Sequence, residues 1–260
     1  MNVFLLSLIV KRIEGLMTRF SLLPIKSPLL SSEQNETLVK LSKKVLDTYF
    51  TFLQAVGIAP PEYRYTENKV VKKISHLTDA NKNFDDIDKR LFPLLTVPLE
   101  SAIIPVNIHI RKQEELILYT GFGITQIKDV STTFFLHELS ISTVSVEYNR
   151  IYLRYLEEIL LNYSSSKFPH LKKLVASYDQ KNYNQFQRDC KEYFGDTFYQ
   201  FYNKIRMLDA LEDIMLSGLS LRDTAIKNNF SSYNNMYVLF CKKYKFPVGS
   251  IPRLFNKISK

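Results

Sequence analysis

A chain of 260 residues with 45% hydrophobic content is long enough for one large domain or two ordinary ones, and this content excludes general disorder. The seven glycines, with neither GxGxxG nor GxxxxGK followed by Ser or Thr, argue against a loop-rich all-β protein and a nucleotide-binding fold built on glycine turns. Two cysteines without CxxC spacing, Cys190 and Cys241, argue against structural disulfides and a zinc site, and favour a reducing, cytoplasmic compartment.

The positive charge is concentrated in the last third of the chain. Residues 166–260 contain 16 lysines and arginines against 8 acidic residues, whereas residues 1–165 contain 19 against 18. Such an excess attracts polyanions through counterion release. The simpler alternative is a basic segment that only keeps the chain soluble.

The N-terminal residues predict two apolar elements. The opening MNVFLLSLIVKR has an apolar run of eight residues, too short to span a bilayer and without the charge order of a signal peptide. It predicts a core strand or a helix turn and no membrane partner; translation from Met17 is an open alternative. Residues 33–56 predict a helix, with Ser31 and Gln34 at capping-box spacing and Gly57 at its end. Its apolar positions are Leu38, Leu41, Val45, Tyr49, Phe52 and Val56.

Strands are predicted within residues 63–128. Pro105 restricts its strand to an edge or a bulge, because proline lacks a backbone N–H. A charged loop is predicted at residues 81–89. The β-type runs are KVVKKISH at 69–76, SAIIPVNIHI at 101–110 and ELILYTGFGITQI at 115–127.

Helical periodicity returns at residues 146–162, where one stripe is formed by Tyr148, Ile151, Tyr155, Leu156, Ile159 and Leu160. We expect this stripe to mediate self-association, with burial in the same chain as the alternative. The following NYSSSKFPH, residues 162–170, predicts a linker, and the charge balance changes there too. The sequence thus predicts an α+β protein with a mixed α/β domain at 1–165 and an all-α domain at 166–260.

The ionisable residues predict no catalytic or metal site. The histidines His76, His109, His137 and His170 are scattered singly. In FLHELS, residues 135–140, His137 and Glu138 are neighbours that point in different directions on a helix or a strand. The sequence therefore predicts neither an enzyme nor a cofactor.

The last third predicts a series of capped helices. Leu171, Leu174 and Val175 form one short apolar face, and YNQFQRDCKEYF predicts a second helix that ends at Gly195. A longer helix follows up to Gly218. Its capping-box pair is Thr197 with Gln200, and the later caps are Ser220 with Asp223, then Ser232 before a helix that extends to about Tyr244.

The segment GDTFYQFYNKIRM, residues 195–207, resembles the GxSFxxYLxxxRL pattern of the AraC/XylS family of transcriptional regulators. The resemblance covers residues 171–255 and implies a double helix-turn-helix domain. Asn229 replaces the glycine of the second turn, and asparagine is the non-glycine residue that adopts positive φ most readily. We expect the turn to keep its fold. The residues in register behind the motif are Ala210, Ser220, Leu221, Ala225, Phe230, Ser232, Phe240, Lys242 and Pro247.

The resemblance implies a first reading helix that begins near Asn182. Glutamine and arginine can bridge adenine and guanine edges in the major groove. The alternative for Arg188 is a solvated charge or an ion pair with Glu192. Cys190 replaces a core phenylalanine of the family, so we expect it to pack in the core. The implied DNA-binding residues on this helix are Asn184, Gln187, Arg188 and Lys191.

The second reading helix is implied to expose Tyr233, Asn234, Asn235 and Tyr237. Val238 replaces a frequent arginine of the family and offers no hydrogen bond to a base. Lys242 and Lys243 are expected at phosphates, because lysines at a helix end position the protein on the duplex without reading its sequence. Capping and turn chemistry is the equal alternative for the two asparagines.

The resemblance implies a homodimeric transcriptional activator whose partner is double-stranded DNA, with a small-molecule effector and RNA polymerase as candidate partners. The first domain departs from the family, since it lacks glycine-rich barrel turns and contains a long helix at 33–56. A rival prediction is a protein-interaction adaptor whose helix-turn-helix units no longer read DNA. Val238 and the uncharged run before it favour the adaptor, whereas the basic charge and the Gln187–Arg188 pair oppose it.

Overall fold

The computed structural model describes residues 2–24, 32–59, 64–75, 85–96, 103–126, 131–144, 146–147, 151–163, 170–178 and 182–255. The helices are α1 (Val3–Ser21), α2 (Ser32–Ala55), α3 (Asp86–Leu91), α4 (Tyr155–Asn162), α5 (Leu171–Ala176), α6 (Tyr183–Phe194), α7 (Phe198–Leu216), α8 (Leu221–Lys227) and α9 (Tyr233–Tyr237). The strands are β1 (Arg64–Ser75), β2 (Ile103–Lys112), β3 (Glu115–Gln126) and β4 (Ser131–Ser142). Among the described helices, none combines the length and the apolar character needed to cross a membrane.

The chain forms two compact units, and each contains separate segments of the sequence. The sheet unit comprises residues 8–145, 215–218 and 251–260. The helical unit comprises residues 1–7, 146–214 and 219–250. The described strands belong to the sheet unit, and residues 171–255 contain helices but no described strand, so the predicted α+β class is confirmed. The predicted domain division at residue 165 remains a prediction.

The sheet is antiparallel in the order β1-β4-β3-β2. The predicted strand runs are confirmed, and β2 is an edge strand, which is where Pro105 is tolerated. Lys112 and Glu115 close the β2–β3 hairpin around a two-residue turn in which Gln113 has φ +43°. The segment FLHELS, residues 135–140, is a strand and not a helix, because it lies in β4, which pairs with both β1 and β3.

Apolar side chains cover both faces of the sheet. On one face, Val106, Tyr119 and Leu136 belong to a buried cluster that includes Leu91 of α3. On the other face, the ring of Phe122 lies 5.8 Å from that of Phe20 in α1. The sheet is therefore covered by α3 on one face and by α1 and α2 on the other.

A polar row crosses this sheet on the face that α2 covers. Asn107, Thr120 and His137 lie opposite one another on β2, β3 and β4. Thr120 Oγ1 donates to Asn107 Oδ1 over 2.6 Å, and His137 Nε2 lies 2.9 Å from Ser42 Oγ of α2. Ser42, Thr120 and His137 are buried, so these bonds satisfy polar groups inside an apolar layer.

Three sequence predictions need correction. The opening run continues into the 19-residue helix α1, since Ile13, Leu16 and Phe20 extend a buried helical face. Residues 86–91 are helical rather than a loop, because Asp85 accepts hydrogen bonds from the N–H groups of Ile87 and Asp88. The helix predicted at 146–162 is shorter than expected, with a 3-10 turn at Ile151–Leu153 before α4.

Helix α2 is confirmed, and its predicted Ser31 cap lies outside the described residues.

Candidate nucleic-acid interface

Side-chain caps fix the ends of the helices in the helical unit. Asn182 accepts from the N–H of Asn184 over 2.9 Å at the start of α6, and Gly195 ends this helix with φ +74°. Helix α5 buries Leu171 and Leu174, as its short apolar face predicts. The pair α5–α6 is thus a short helix packed against a longer one that starts and stops at defined residues.

The predicted caps of α7, α8 and α9 are confirmed. Thr197 N–H donates to Gln200 Oε1 over 3.0 Å, and Gln200 N–H donates to Thr197 Oγ1 over 3.4 Å, which completes a capping box. Ser220 accepts from the N–H of Asp223 over 3.1 Å, and Ser232 from that of Asn235 over 3.2 Å. These local bonds determine where α8 and α9 begin.

The turn between α8 and α9 adopts the conformation that the sequence predicts. Asn229 has φ +58°, the left-handed region in which asparagine replaces glycine at low cost. Its carbonyl accepts from Arg206 Nη1 over 2.5 Å, and the Arg206 guanidinium lies 4.5 Å from the ring centre of Phe230. Arg206 of α7 therefore attaches the turn to the helix behind it.

A buried carboxylate forms the second attachment of α8 to α7. Asp213 is 2% exposed and accepts from Lys227 Nζ over 2.8 Å and from Asn228 Nδ2 over 2.9 Å. Lys227 and Asn228 end α8, and Asp213 lies on α7. An ion pair and an amide thus compensate the burial of this charge.

Helix α6 presents three of its predicted DNA-binding residues on one exposed face. Asn184, Arg188 and Lys191 are four and three residues apart and are exposed. Arg188 Nη2 donates to Gln185 Oε1 over 2.9 Å, a local partner instead of the predicted Glu192. Gln187 is half-buried and hydrogen-bonds Tyr183. The face therefore offers an amide and two cations, with the arginine fork oriented by a neighbouring side chain.

Tyrosine–carboxylate pairs connect α4 to the opposite face of α6. Tyr155 Oη donates to Asp189 Oδ2, and Tyr193 Oη donates to Glu157 Oε1. Asp189 is 3% exposed and also accepts from Gln185 Nε2 over 2.6 Å. Gln185 thus links the buried carboxylate to the exposed Arg188.

These pairs change the interpretation of the α4 stripe. Leu156 and Ile159 are fully buried, and the Tyr155 hydroxyl is bonded within the chain, so burial in the same chain is correct for these three residues. Tyr148 lies outside the described residues, and Ile151 is exposed. The role of Asp189 was not predicted, although its spacing from Phe186 and Tyr193 places it on the buried face of α6.

Cys190 packs in the core, as predicted. The thiol is fully buried, and burial together with the neighbouring Asp189 charge raises its pKa to about 12. A reactive thiol requires exposure and a lowered pKa. Cys190 has neither property.

The second predicted reading surface begins at α9 and continues into a π-helical turn at Val238–Lys243. Met236 and Phe240 are buried, so the opposite side of this segment is exposed. The predicted residues on the exposed side are Tyr233, Asn234, Asn235, Tyr237, Lys242 and Lys243. Val238, for which the sequence predicts no contact with DNA, is also exposed, at 39%.

The two asparagines of α9 have different environments. Asn235 donates its backbone N–H to Ser232 and its side-chain amide to Ser231, as capping chemistry predicts. Asn234 lines an open groove together with Leu221 and Ile226. The amide of Asn234 is therefore presented at the surface, whereas that of Asn235 stabilises the start of the helix.

Nine of the ten predicted site residues are exposed, and Gln187 is half-buried. Within the described residues, no three histidine, cysteine or acidic side chains lie close enough together to hold a metal ion. No protein-family model, curated protein or solved structure matches the chain. The resemblance to the AraC/XylS family therefore rests on the residues quoted above.

Proposed function

We propose that the protein is a sequence-specific DNA-binding transcriptional regulator that resembles the AraC family, and that it is not an enzyme. The observation that carries the proposal is the exposed face of α6, where Asn184, Arg188 and Lys191 point to solvent from a capped helix in a basic segment. A helix that exposes amide and guanidinium groups on one face matches what the major groove accepts.

In this proposal α6 carries most of the sequence preference. Arg188 contacts the O6 and N7 acceptors of a guanine. The hydrogen bond from Arg188 to Gln185 already restricts the orientation of the guanidinium, so less side-chain entropy is lost on binding. Lys191, Lys242 and Lys243 contact phosphates and position the domain without reading bases. These roles divide the surface into one specific and one general part.

The further elements of the proposal are a homodimer whose two basic regions bind successive major grooves, and control of this arrangement by an effector that binds the N-terminal part. The proposed location of the protein is the cytoplasm, and the proposed effect of DNA binding is activation of transcription through RNA polymerase. The exposed Ile151 and Leu161, 80% and 81% exposed around α4, are the apolar side chains that a dimer contact would cover.

The test is fluorescence anisotropy with one selected duplex and one scrambled duplex across a salt series. Arg188→Ala should bring specific binding close to the nonspecific level, since a bidentate guanine contact contributes about 1–3 kcal/mol of discrimination. Lys242→Ala should weaken both duplexes alike and reduce the log–log salt slope by about one unit. Lys40→Ala, which removes an exposed charge from α2, is the control and should change neither quantity.

An interaction adaptor is the second candidate function, and one observation favours it. Ile226, Tyr237 and Val238 are 59%, 39% and 39% exposed on α8 and the helix that follows. Exposed apolar groups of this kind occur at protein contacts. An unchanged affinity ratio for Arg188→Ala, with weak binding only at low salt, would favour the adaptor over the regulator.

A further inference from the structure

We propose that the surface formed by α9 and the π-helical turn recognises A·T base pairs, by contact of Val238 with a thymine methyl and of Asn234 with the adjacent adenine. This inference rests on the proposed DNA-binding function and assigns a base-pair class to its second helix. The surface lacks a charged side chain between Tyr233 and Cys241, so it cannot use the arginine contact proposed for α6.

The geometry places the two side chains in one row. Asn234 and Val238 are four residues apart, and residues at this spacing are neighbours on a helix surface. Both are exposed, and the residues on the opposite side, Met236 and Phe240, are buried. A base-pair edge that meets one of these side chains is therefore within reach of the other.

The π-helical turn extends the row with a cation. The Tyr244 N–H donates to the carbonyl of Leu239, five residues earlier, which is the hydrogen bond that defines this turn. Residues five apart are neighbours in such a turn, so Lys243 follows Val238 and Lys242 follows Tyr237. The row therefore combines an amide and methyl groups that can meet base edges with a cation that can meet a phosphate.

The side chains of this row fit an A·T pair better than a G·C pair. An A·T pair presents an adenine N7 acceptor and N6 donor, which fit an amide, and a thymine methyl, which fits an aliphatic side chain. A G·C pair opposite Val238 would lose water from O6 or N4 without receiving a hydrogen bond in return. Asn235 is not included, because its amide is bonded to Ser231.

The test starts from duplexes selected by the full chain from a randomised pool at constant salt. The expected consensus contains a guanine block and, about one helical turn away, an A·T block. Replacing each thymine of the A·T block by deoxyuridine removes only its methyl group. We expect the affinity to fall about fourfold at one position, the effect of removing one buried methyl, and to stay unchanged when thymines elsewhere are replaced.

Variants assign that methyl to Val238. Val238→Ala should bind the thymine and uracil duplexes equally, and Asn234→Ala should lose about tenfold for the adenine duplex alone. Val144→Ala removes an exposed valine of the sheet unit and is the matched control, which should retain the difference between the duplexes.

Each outcome decides the inference. A shared consensus without a uracil effect, or a uracil effect that persists in Val238→Ala, overturns it and leaves the proposed function intact. A pool that yields no shared sequence overturns both. Equal affinity for all duplexes, with the Val238→Ala variant losing binding to a protein partner, would assign the surface to protein contact instead.

Discussion

The helix pairs α5–α6 and α8–α9 are each attached to another helix through one buried aspartate, and the two aspartates differ in where their hydrogen-bond donors lie. Asp213 accepts from Lys227 and Asn228, which are 14 and 15 residues away on the adjacent helix. Asp189 accepts from Gln185 on its own helix and from Tyr155, which is 34 residues upstream on α4. The second pair is therefore attached to the helix that directly precedes it, α7, and the first to a helix farther upstream, α4.

This difference indicates which helix would respond to a structural change upstream in the chain. A displacement of α4 breaks the hydrogen bonds of Tyr155 and Glu157 with α6, while the attachment of α8 to α7 through Asp213 contains no residue of α4. In the proposed function, control of DNA binding through the N-terminal part would therefore act on α6.

The largest expected difference is in thiol reactivity, because each pair contains one cysteine. Cys190 is fully buried with a pKa raised to about 12, whereas Cys241 is half-exposed. At pH 8 only about one Cys190 thiol in ten thousand is ionised. Ellman's reagent should modify Cys241 at least about 100-fold faster than Cys190. The Cys241→Ser variant should show only the slow thiol, and rapid labelling of that variant would contradict the buried position of Cys190.

Asp213→Ala is expected to have the largest effect on stability. It removes the shared acceptor of Lys227 and Asn228, whose amide then keeps only the Thr224 carbonyl, and the free energy of unfolding should fall by about 3 kcal/mol. Denaturant titration followed by circular dichroism measures this change. Asp213→Asn keeps the size and one acceptor oxygen, so it should cost less than the alanine variant; equal losses would show that hydrogen bonding at this position is not what stabilises the turn.

Tyr155→Phe removes only a hydroxyl and should lower the free energy of unfolding by about 2 kcal/mol, a typical effect for a hydrogen bond to a charged group. The same variant should loosen α6, so amide hydrogen exchange should accelerate in residues 183–194 and remain unchanged in residues 221–237. Tyr152→Phe is the matched control, because its more exposed hydroxyl lies 3.3 Å from Glu192. Equal acceleration in both helices would remove the distinction between the two pairs.

Alkaline pH should destabilise the helical unit. The folded pKa of Cys190 is about 12, above the ordinary value of 9.0, so the stabilisation is complete below pH 9 and is lost as pH rises towards 12. The loss between pH 9 and 10 should be about 1 kcal/mol. Burial and the bond to Asp189 also raise the pKa of Tyr155 above 10.0, so its loss starts about one pH unit later. Cys190→Ala should remove the fall between pH 9 and 10 and keep the fall above it.

The smallest effect is expected at Asn229. Asn229→Ala should cost about 0.5–1 kcal/mol, since alanine adopts positive φ less readily than asparagine. Asn229→Gly should be nearly neutral, because glycine adopts positive φ without steric cost, which offsets the lost side-chain hydrogen bond to Tyr202. Thermal unfolding of both variants gives the comparison. A glycine variant as unstable as the alanine variant would show that the side chain, rather than the backbone conformation, determines the turn.

The sequence predicted the features that depend on near neighbours. The caps at Thr197, Ser220 and Ser232 and the positive φ of Asn229 each require residues within four positions, and all of these were predicted. The edge position of Pro105 was predictable too, because a missing N–H is incompatible with a central strand.

The features that the sequence did not predict depend on partners far along the chain. The apolar run of α1 is compatible with strand or helix, and only its packing on the sheet decides between them. The same holds for β4, whose burial on both faces hides the alternation of an exposed strand. Tyr155 and Asp189 are ordinary members of two helical patterns, and no local rule pairs a tyrosine with a carboxylate 34 residues away.

The polar row of the sheet unit has a consequence for how its strands find their partners. Strands β2, β3 and β4 contain 10, 12 and 12 residues and are largely apolar, so many sliding alignments would bury similar area. A slip of β3 by one residue would turn Thr120 to the opposite face and bring Tyr119 or Gly121 level with Asn107 and His137. The Thr120 hydroxyl would then lose its acceptor Asn107, and Asn107 would lose that donor, at a cost of about 1–3 kcal/mol for each group left unpaired. The hydrogen bond within the polar row thus makes the observed register of β2 and β3 more stable than the neighbouring registers.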